Sequence, residues 1–284
     1  MSRLEWMIGS ARVVRVLESE AAVPLRMLLG DVDDTRLARH REWLAPHFID
    51  ADDNYRIAIQ ALLIESCGRR IVVDTCLGEH STPFDAVFET VHESFLERLA
   101  AEGFACDVVD YVLCTHLHFD HVGWNTRRVN GAWAPTFPNA RYLFAKTEWE
   151  HWSNTNESDY SNLGDTVAPI FAAGLADLVE MNHRLTDEVA LVATPGHTPG
   201  HVSVAIVSRG QRAFITGDMT HHPVQWAEPA WRSVSDNDAA MATQTRRDML
   251  ARFGNREALI IGSHYPTPCA GHLTGDADDV RFEV

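Results

Sequence analysis

Residues 115–121 read Thr-His-Leu-His-Phe-Asp-His, and this cluster constrains the fold more than any other part of the sequence. Four of the six residues from His116 to His121 have side chains that bind metal ions, a density that a surface loop does not need. The cluster directly follows residues 111–114, an apolar run that is typical of a buried strand. The fold must therefore bring the end of a strand to a place where imidazoles and a carboxylate can converge.

The spacing within the cluster leaves two arrangements open. In an extended chain alternate side chains point to the same side, so His116, His118 and Asp120 would converge on one point. If the chain turns within the cluster, Asp120 and the adjacent His121 face a second point instead. The second arrangement would supply ligands to two ions rather than one.

Three further residues of the same chemical type occupy the same kind of place. His197, Asp218 and His264 each follow a strand-like run and a small residue. Loops at the ends of strands are where a rigid scaffold presents functional groups. Together with the cluster they make five imidazoles and two carboxylates, a set that suits two borderline-soft divalent ions better than one.

The pattern of apolar runs along the chain predicts a mixed α and β fold. Strand-like runs cover residues 11–17, 57–66, 70–74, 108–114, 188–193, 202–207, 213–216 and 258–261, and helical patterns cover residues 36–43, 84–102 and most of 145–180. The second and third runs are split by Cys67-Gly68 and predict a hairpin. These strands cannot all belong to simple βαβ units, whereas two sheets flanked by helices accommodate them.

Composition excludes several classes of protein. With 45% hydrophobic and 23% charged residues, the chain has the ordinary mix of a globular protein with a core. A formal charge of −16 without a run of Lys or Arg argues against a nucleic-acid partner. The sequence starts without the charged-then-apolar pattern of a secretory signal, and no apolar stretch reaches membrane-spanning length, so we expect a cytoplasmic protein without a membrane partner.

The H-x-H-x-D-H motif, followed by separated His, Asp and His residues, resembles the signature of the metallo-β-lactamase superfamily. The resemblance extends over residues 74–264 and implies an α/β (α+β) fold, a four-layer αβ/βα sandwich of two mixed β-sheets flanked by helices. A single domain over residues 1–284 is expected, in which residues 30–55 form a lid or a substrate-cleft segment. The resemblance also assigns seven metal ligands: His116, His118, Asp120, His121, His197, Asp218 and His264.

The resemblance divides these ligands between two ions, with His116, His118 and His197 on the first, Asp120, His121 and His264 on the second, and Asp218 bridging them. A hydroxide would form a second bridge, since two divalent ions about 3.5–4 Å apart lower the pKa of a shared water towards ~7. Asp120 would be the catalytic proton shuttle, and Asp74 would support the site without binding metal. Zinc is the preferred ion, with iron, manganese and cobalt as alternatives.

Branches of the superfamily differ at individual ligands. Di-zinc β-lactamases place Cys where this chain has Asp218, and oxygen-reducing di-iron members place Glu where it has His118. Glyoxalase-type thioesterases share all seven ligands but carry a basic C-terminal region, whereas residues 275–284 are acidic here. The chain most resembles the group of N-acyl-homoserine lactonases and methyl-parathion-hydrolase-like enzymes.

This resemblance implies a di-zinc hydrolase that opens lactones or cleaves carboxylic esters, with phosphotriesters as a side activity. Its partner would be a small-molecule ester or lactone, and a homodimer is allowed. Glyoxalase II-like thioester hydrolysis and β-lactam hydrolysis are the alternatives. A mononuclear iron oxygenase needs only a His/His/Asp subset, so the presence of His121 and His264 argues against it. A non-catalytic metal-binding protein is the least favoured class, because metal binding alone gives no reason to retain all seven ligands.

Two positions depart from the lactonase pattern. Lactonases of this group often carry a Tyr three residues after the bridging Asp, where its hydroxyl contacts the substrate carbonyl, but this chain has His221 there, followed by His222. His221 is therefore a candidate catalytic residue, and contact with the substrate and support of the metal site both stay open for it. Trp124 follows Gly123 at a place where a second small residue is common.

Four other residues have expected roles near the site. His201, which follows the candidate ligand His197 by four positions, is expected to hydrogen-bond a neighbour. Trp43, Phe48 and Phe119 are expected either to line an apolar substrate cleft or to pack in the core.

Overall fold

The computed structural model of the chain describes residues 3–82, 87–88, 92–155, 161–254, 257–275 and 279–284. Within these ranges the strands are β1 (Leu4–Ile8), β2 (Ala11–Pro24), β3 (Asn54–Ser66), β4 (Arg69–Val73), β5 (Tyr111–Leu113), β6 (Thr126–Val129), β7 (Ala132–Pro135), β8 (Arg141–Ala145), β9 (Ala176–Val179), β10 (Val189–Ala193), β11 (Val202–Ser208), β12 (Gln211–Ile215), β13 (Ala258–Ile261), β14 (Ala270–Thr274) and β15 (Arg281–Glu283). The helices are α1 (Leu25–Leu28), α2 (Asp34–Leu44), α3 (His92–Ala101), α4 (Phe119–Val122), α5 (Lys146–Ser153), α6 (Leu163–Thr166), α7 (Ala168–Ala172), α8 (Val224–Ala227) and α9 (Ala239–Phe253).

The strands form two large mixed sheets. The first has the order β1-β2-β3-β4-β5-β8-β9, antiparallel from β1 to β4 and parallel from β4 to β9. The second has the order β10-β11-β12-β13-β14-β15, in which the pair β12 and β13 is parallel and the other pairs are antiparallel. Strands β6 and β7 form a separate hairpin. The prediction of two mixed sheets with helices is confirmed.

The hairpin predicted around Cys67-Gly68 joins β3 to β4. Ser66 pairs with Arg69, which leaves two residues in the turn. Cys67 and Gly68 both have positive φ, at 52° and 74°, as the type I′ turn that suits a two-residue hairpin requires. The turn therefore sets the register of β4 against β3, and β4 in turn pairs with β5, the strand that precedes the cluster.

The core is continuous between the two sheets. Residues 57–64 of β3 are buried without the alternation of a half-exposed strand, because the strand is covered on both faces. One hydrophobic cluster contains Ile64 from the first sheet and Val204 and Ile215 from the second. The backbone N–H of Ala58 donates to the carbonyl of His264 at 3.1 Å, which ties β3 to the loop after β13.

Part of the predicted secondary structure needs correction. The region 145–180 contains three helices as expected, but residues Ala176–Val179 form the edge strand β9 instead of continuing the helical pattern. A four-residue edge strand gives too short an apolar alternation to be recognised, and its parallel pairing with β8 decides its structure. For the predicted helix over 84–102, residues 92–101 are helical, whereas residues 84–86 and 89–91 lie outside the described residues.

None of the helices in the described ranges combines the length and the apolar character that crossing a bilayer requires.

Candidate metal centre

The cluster after β5 turns between His118 and Phe119. His116 and His118 lie in the loop that follows the strand, and helix α4 starts immediately after His118. Asp120 and His121 are carried by the single turn of this helix. The turn directs the second pair of side chains to a different point from the first, so the second of the two arrangements considered from the sequence is the one that forms.

The other three residues follow strands of the second sheet. His197 comes after β10, Asp218 after β12 and His264 after β13. Strand β12 is parallel to β13, and β10 is parallel to β12 because each is antiparallel to β11. The carboxyl ends of these strands therefore meet at one edge of the sheet, where they face the loop after β5.

The first group of side chains combines three imidazoles and one carboxylate. It consists of His116, His118, His197 and Asp218, whose ligand atoms all lie within 4.8 Å of one another. His197 Nε2 lies 3.0 Å from His118 Nδ1 and 3.3 Å from Asp218 Oδ2. His116 Nε2 lies 3.6 Å from the same carboxylate oxygen.

The second group consists of Asp120, His121 and His264. His121 Nε2 lies 3.2 Å from His264 Nε2, and Asp120 Oδ2 lies 3.5 Å from the latter atom. Asp218 reaches this group with its other oxygen, since Oδ1 lies 3.3 Å from His121 Nε2 and 3.0 Å from His264 Nε2. The carboxylate of Asp218 thus presents one oxygen to each group.

Burial and donor geometry show that the residues fit divalent cations. His116 Nε2 is buried and has no hydrogen-bond partner among the described residues. Nitrogens 3.0–3.2 Å apart match the spacing of neighbouring ligands around a tetrahedral ion, about 3.4 Å for Zn–N bonds of 2.0–2.1 Å. The lone pairs of these ligand atoms therefore point into the same space, where a cation would coordinate them together.

The electrostatics of the centre agree with this fit. Burial lowers the pKa of His116 and of His118 well below the usual value, which keeps these imidazoles in the neutral form that binds metal. Burial also opposes a charge on His121, but the carboxylates of Asp218, Asp120 and Asp74 outweigh it and raise the pKa of His121. The three carboxylates around His121 therefore favour a positive charge at this place in the centre.

Asp74 lies behind the second group. Its Oδ2 is 3.0 Å from His121 Nδ1, and its Oδ1 accepts a hydrogen bond from the backbone N–H of Thr115 at 2.7 Å. A carboxylate can only accept, so the ring proton of His121 is placed on Nδ1 and Nε2 faces the centre. The structure therefore puts Asp74 where it orients an imidazole without entering either group.

His201 holds the turn that carries Asp218. Its Nε2 accepts from the backbone N–H of Asp218 at 2.8 Å, and its Nδ1 lies 2.8 Å from Thr194 Oγ1. The turn starts at Gly217 with φ +54, and a Cβ there would approach His201 Nε2 to 2.5 Å. The prediction that His201 hydrogen-bonds a neighbour is confirmed, and this contact requires glycine at position 217.

The two histidines that depart from the lactonase pattern have different surroundings. His221 Nε2 lies 3.1 Å from Asp218 Oδ2, and its Nδ1 is buried without a hydrogen-bond partner among the described residues. With Asp218 and His264 it forms a third set of potential donors. His222 instead packs in the core, where its Nε2 lies 2.9 Å from the Phe48 carbonyl and its Nδ1 accepts from the Val224 N–H.

A cavity of ≈ 140 Å³ opens onto both groups. It is lined by Val23, Met27, Leu28, Ile57, Val87, Phe88, His118, Phe119, Asp120, Asp218, His221, Val234, Ser235 and His264. Apart from residues of the two groups, His221 and one serine, these side chains are apolar, and no Lys or Arg is among them. We refer to this cavity as the apolar cleft.

The aromatic residues expected near the cleft divide between cleft and core. Phe119 lines the cleft, whereas Phe48 is buried against Tyr265 and Phe282. Trp43 is not part of the described lining. A lid formed by residues 30–55 stays a prediction, since the wall described here comes from Val23, Met27 and Leu28, just before that stretch.

Trp124 belongs to the core rather than to the cleft. Its ring stacks on Phe95, and its Nε1–H donates to Glu18 Oε1 at 2.6 Å. Glu18 lies at a register shift between β2 and β3 and also accepts from the backbone N–H of Leu77 at 2.7 Å. The departure at Trp124 therefore changes packing behind the centre, while the departure at His221 changes the cleft itself.

Two buried carboxylates at the centre escape recognition from the sequence. Glu148 accepts hydrogen bonds from the backbone N–H groups of Leu117, at 3.1 Å, and Gly200, at 2.9 Å. Asp236 Oδ1 lies 3.2 Å from His197 Nδ1. Glu148 follows β8, a strand that the sequence pattern does not predict, and lies in the stretch 145–180 that is predicted to be helical. Asp236 follows no strand, so no local signal distinguishes either residue from a surface acid.

Known proteins were compared with this chain at the level of sequence. The model of the Metallo-beta-lactamase superfamily matches residues 55–264. An N-acyl homoserine lactonase of Bacillus thuringiensis is 26% identical over 162 residues, which cover 53% of this chain and 58% of that protein. The chain therefore spans less than two thirds of the length of this relative.

Solved structures share the fold over nearly the whole chain. AidC, a dizinc quorum-quenching lactonase in complex with a product, has a TM-score of 0.79 at 22% identity, covering 99% of this chain and 96% of that one. AbOPH, a hydrolase in the beta lactamase superfamily, has a TM-score of 0.79 at 24% identity, covering 99% and 97%. The fold predicted from the sequence is confirmed. With a family match that begins in β3 and ends at His264, the chain belongs to the metallo-β-lactamase superfamily.

Proposed function

We propose that this chain is a hydrolase that holds two divalent metal ions and opens lactones or cleaves carboxylic esters. The observation that carries the proposal is the position of Asp218, which presents one carboxylate oxygen to each of two donor groups at the end of the apolar cleft. The first ion would be held by His116, His118 and His197, the second by Asp120, His121 and His264, with Asp218 between them. The nitrogen-rich set favours zinc, and iron, manganese and cobalt are the alternatives.

Divalent ions at these positions would polarise the carbonyl oxygen of the substrate and make a water molecule acidic enough to react near neutral pH. The chain itself supplies the proton path. The Asp120 side chain is 15% exposed and lines the cleft, whereas the Asp218 and His264 side chains are 2% and 3% exposed. This difference in exposure supports Asp120 as the residue that holds a proton taken from water and passes it to the leaving oxygen of the substrate.

The lining of the cleft favours uncharged substrates. Its apolar side chains include Met27, Ile57, Phe119 and Val234, and no described lining residue is a cation that could pair with a substrate carboxylate. Glutathione thioesters and β-lactams carry such carboxylates, and burying a charge without a partner is unfavourable. Lactones and simple esters are neutral. Phosphotriesters are neutral as well, which supports them as a side activity.

The test combines metal analysis with a panel of substrates. Protein purified without added metal should contain up to two divalent ions per chain, and a chelator should abolish hydrolysis until metal is restored. Turnover on lactones and aryl esters with apolar acyl groups should exceed turnover on glutathione thioesters and β-lactams. His116→Ala should lose activity, and His272→Ala, which alters an exposed imidazole outside the predicted lid, is the matched control. Full activity in metal-free protein, or a preference for anionic thioesters, would show that the proposal is wrong.

A further inference from the structure

A segment of the chain links the wall of the apolar cleft to the loop that carries His197. We call residues 232–238 the connecting segment. Near its start, the backbone N–H of Val234 donates to the carbonyl of Leu28 at 3.0 Å, so that both residues form one side of the cleft. Near its end, the N–H of Asn237 donates to the carbonyl of His197 at 2.9 Å. The same short stretch therefore contacts the substrate cleft and a residue of the metal centre.

The side chain of Asp236 strengthens this link. Its Oδ1 lies 3.2 Å from His197 Nδ1, and its Oδ2 accepts from the backbone N–H of Ser233 at 2.9 Å. Because a carboxylate can only accept, the ring proton of His197 is placed on Nδ1, which leaves the Nε2 lone pair facing the centre. One buried carboxylate thus fixes both the fold of the connecting segment and the tautomer of His197.

Arg246 on helix α9 completes the arrangement from behind. Its guanidinium donates to Asp236 Oδ2 at 3.2 Å, to the Pro229 carbonyl at 2.8 Å and to the Met219 carbonyl at 3.2 Å. Met219 directly follows Asp218, so the same guanidinium also holds the turn that carries the central carboxylate. The Asp236 and Arg246 side chains are both 0% exposed. The planar guanidinium of Arg246 reaches three acceptors at once, which the ammonium group of a lysine could not do.

We propose that Asp236 and Arg246 are positioning residues that couple the apolar wall of the cleft to the metal centre through His197. The inference rests on the proposed function for the ions and for the substrate cleft. A change in the position of Val234 moves the connecting segment, and the buried pair transmits that movement to the His197 ring and to the turn after Asp218. The coupling is reciprocal, since a metal that fixes His197 must also order the cleft wall.

Asp236→Asn tests the link to the metal. The introduced amide keeps the size of the side chain, but its oxygen is needed by Arg246 and Ser233, so its NH₂ group faces His197 Nδ1. His197 must then move its proton to Nε2, which removes the lone pair that faces the centre. We expect zinc affinity, measured by chelator competition without substrate, to fall about 10–100-fold. Arg247→Met and Asp248→Asn, exposed neighbours on α9, should leave the affinity unchanged.

Hydrogen exchange tests the link to the cleft wall. In the parent, adding zinc should slow amide exchange in peptides that cover residues 28–30 and 232–235 by at least about fivefold. In Asp236→Asn at saturating zinc this slowing should be lost, and the KM for an aryl ester with an apolar acyl chain should rise more than kcat falls. Zinc that slows exchange equally in parent and variant would overturn the coupling, even if the affinity for zinc falls.

Arg246→Lys provides a second variant in case Asp236→Asn does not fold. It keeps the positive charge but loses the planar guanidinium that reaches three acceptors. We therefore expect lower zinc affinity and a smaller slowing of amide exchange by zinc, with both effects weaker than in Asp236→Asn. Unchanged affinity and unchanged exchange in this variant would overturn the proposal. Chelator competition and hydrogen exchange need no substrate, so a protein that binds zinc with the predicted coupling but hydrolyses no ester would refute the proposed function and leave the coupling standing.

Discussion

Asp218 is the residue on which the arrangement of the centre depends, because its two oxygens face different sets of imidazoles. Burial opposes its ionisation, but the neighbouring His121, His264, His221 and His116 hold the pKa of the Asp218 carboxyl well below its usual value. The carboxylate therefore stays ionised at the point where the two donor groups meet. A fixed negative charge in a buried site is stable only with cations or protonated imidazoles around it.

His221 is predicted to act on the substrate rather than to hold the ions. It lines the cleft, and because its Nε2 faces Asp218 Oδ2 at 3.1 Å, the ring proton is placed on Nε2, which is the hydrogen-bond donor that the neutral ring offers to a substrate. Losing a donor aimed at a developing oxyanion reduces turnover about 10²–10³-fold. His221→Ala should therefore keep both ions and lose mainly kcat, and His221→Tyr should shift preference towards acyl-homoserine lactones. Loss of one ion in His221→Ala, with activity restored by excess zinc, would instead identify His221 as support for the metal.

His222 is predicted to make the folded state sensitive to acid. Burial lowers the pKa of His222 to about 3, and the hydrogen bond to the Phe48 carbonyl, which favours the protonated ring, opposes the shift without cancelling it. The unfolded chain takes up this proton near pH ~6.5, so as the pH falls from there towards 3 the group removes about 1.4 kcal/mol of stability per pH unit. The stability is fully present above pH ~6.5.

The measurement compares His222→Gln with the parent in urea unfolding at fixed metal saturation. The variant should be less stable at pH 7, and the difference should shrink by roughly 2 kcal/mol on going to pH 5. His47→Gln, at an exposed position, should follow the parent at every pH. Parallel curves for the parent and His222→Gln would contradict the assignment.

At the scale of elements, helix α5 connects two loops of the centre although it carries none of the predicted ligands. Glu148 in its first turn accepts from the backbone of Leu117 and of Gly200, and from Trp152 Nε1 at 2.7 Å, one turn along the helix. Burial raises the pKa of Glu148, and these donors oppose the shift. The loops that carry His116 and His118 on one side and His197 on the other are thereby held together.

Glu148→Gln is expected to loosen this connection. The amide keeps one acceptor oxygen and turns an NH₂ group towards an N–H donor, which leaves a buried donor without a partner. The free energy of unfolding should fall by about 1–3 kcal/mol, and zinc should bind more weakly. Glu150→Gln, at an exposed position of the same helix, is the matched control. Denaturant unfolding with and without zinc measures both effects, and equal stability of the parent and Glu148→Gln would rule out the connecting role.

At the scale of the whole molecule, the donor groups join the two sheets. Each group combines residues that follow β5 of the first sheet with residues that follow strands of the second. Ions held there bind the folded state and not the unfolded chain, so zinc at 100 times its Kd should add about 2.7 kcal/mol. Chelation should therefore lower the melting temperature by roughly 5–10 °C. Thermal unfolding with zinc and with chelator measures this, and His116→Ala should respond less. Identical melting curves would contradict the role of the ions in joining the sheets.

The sequence alone determined which side chains could form the centre and the kind of fold that presents them. The H-x-H-x-D-H cluster and the later His197, Asp218 and His264 are recognisable because each follows a strand, and strand patterns and ligand chemistry are local properties. The structure brings all seven residues together, and their assignment to particular ions stays a proposal.

Only the tertiary structure decided which residues surround the centre. Glu148, Asp236 and Arg246 lie far from the cluster in sequence and reach it through the packing of α5, the connecting segment and α9. The separation of His222 in the core from His221 in the cleft likewise depends on long-range contacts with Phe48. Such contacts form between residues that no local periodicity relates, because the free energy of packing depends on the whole chain being folded.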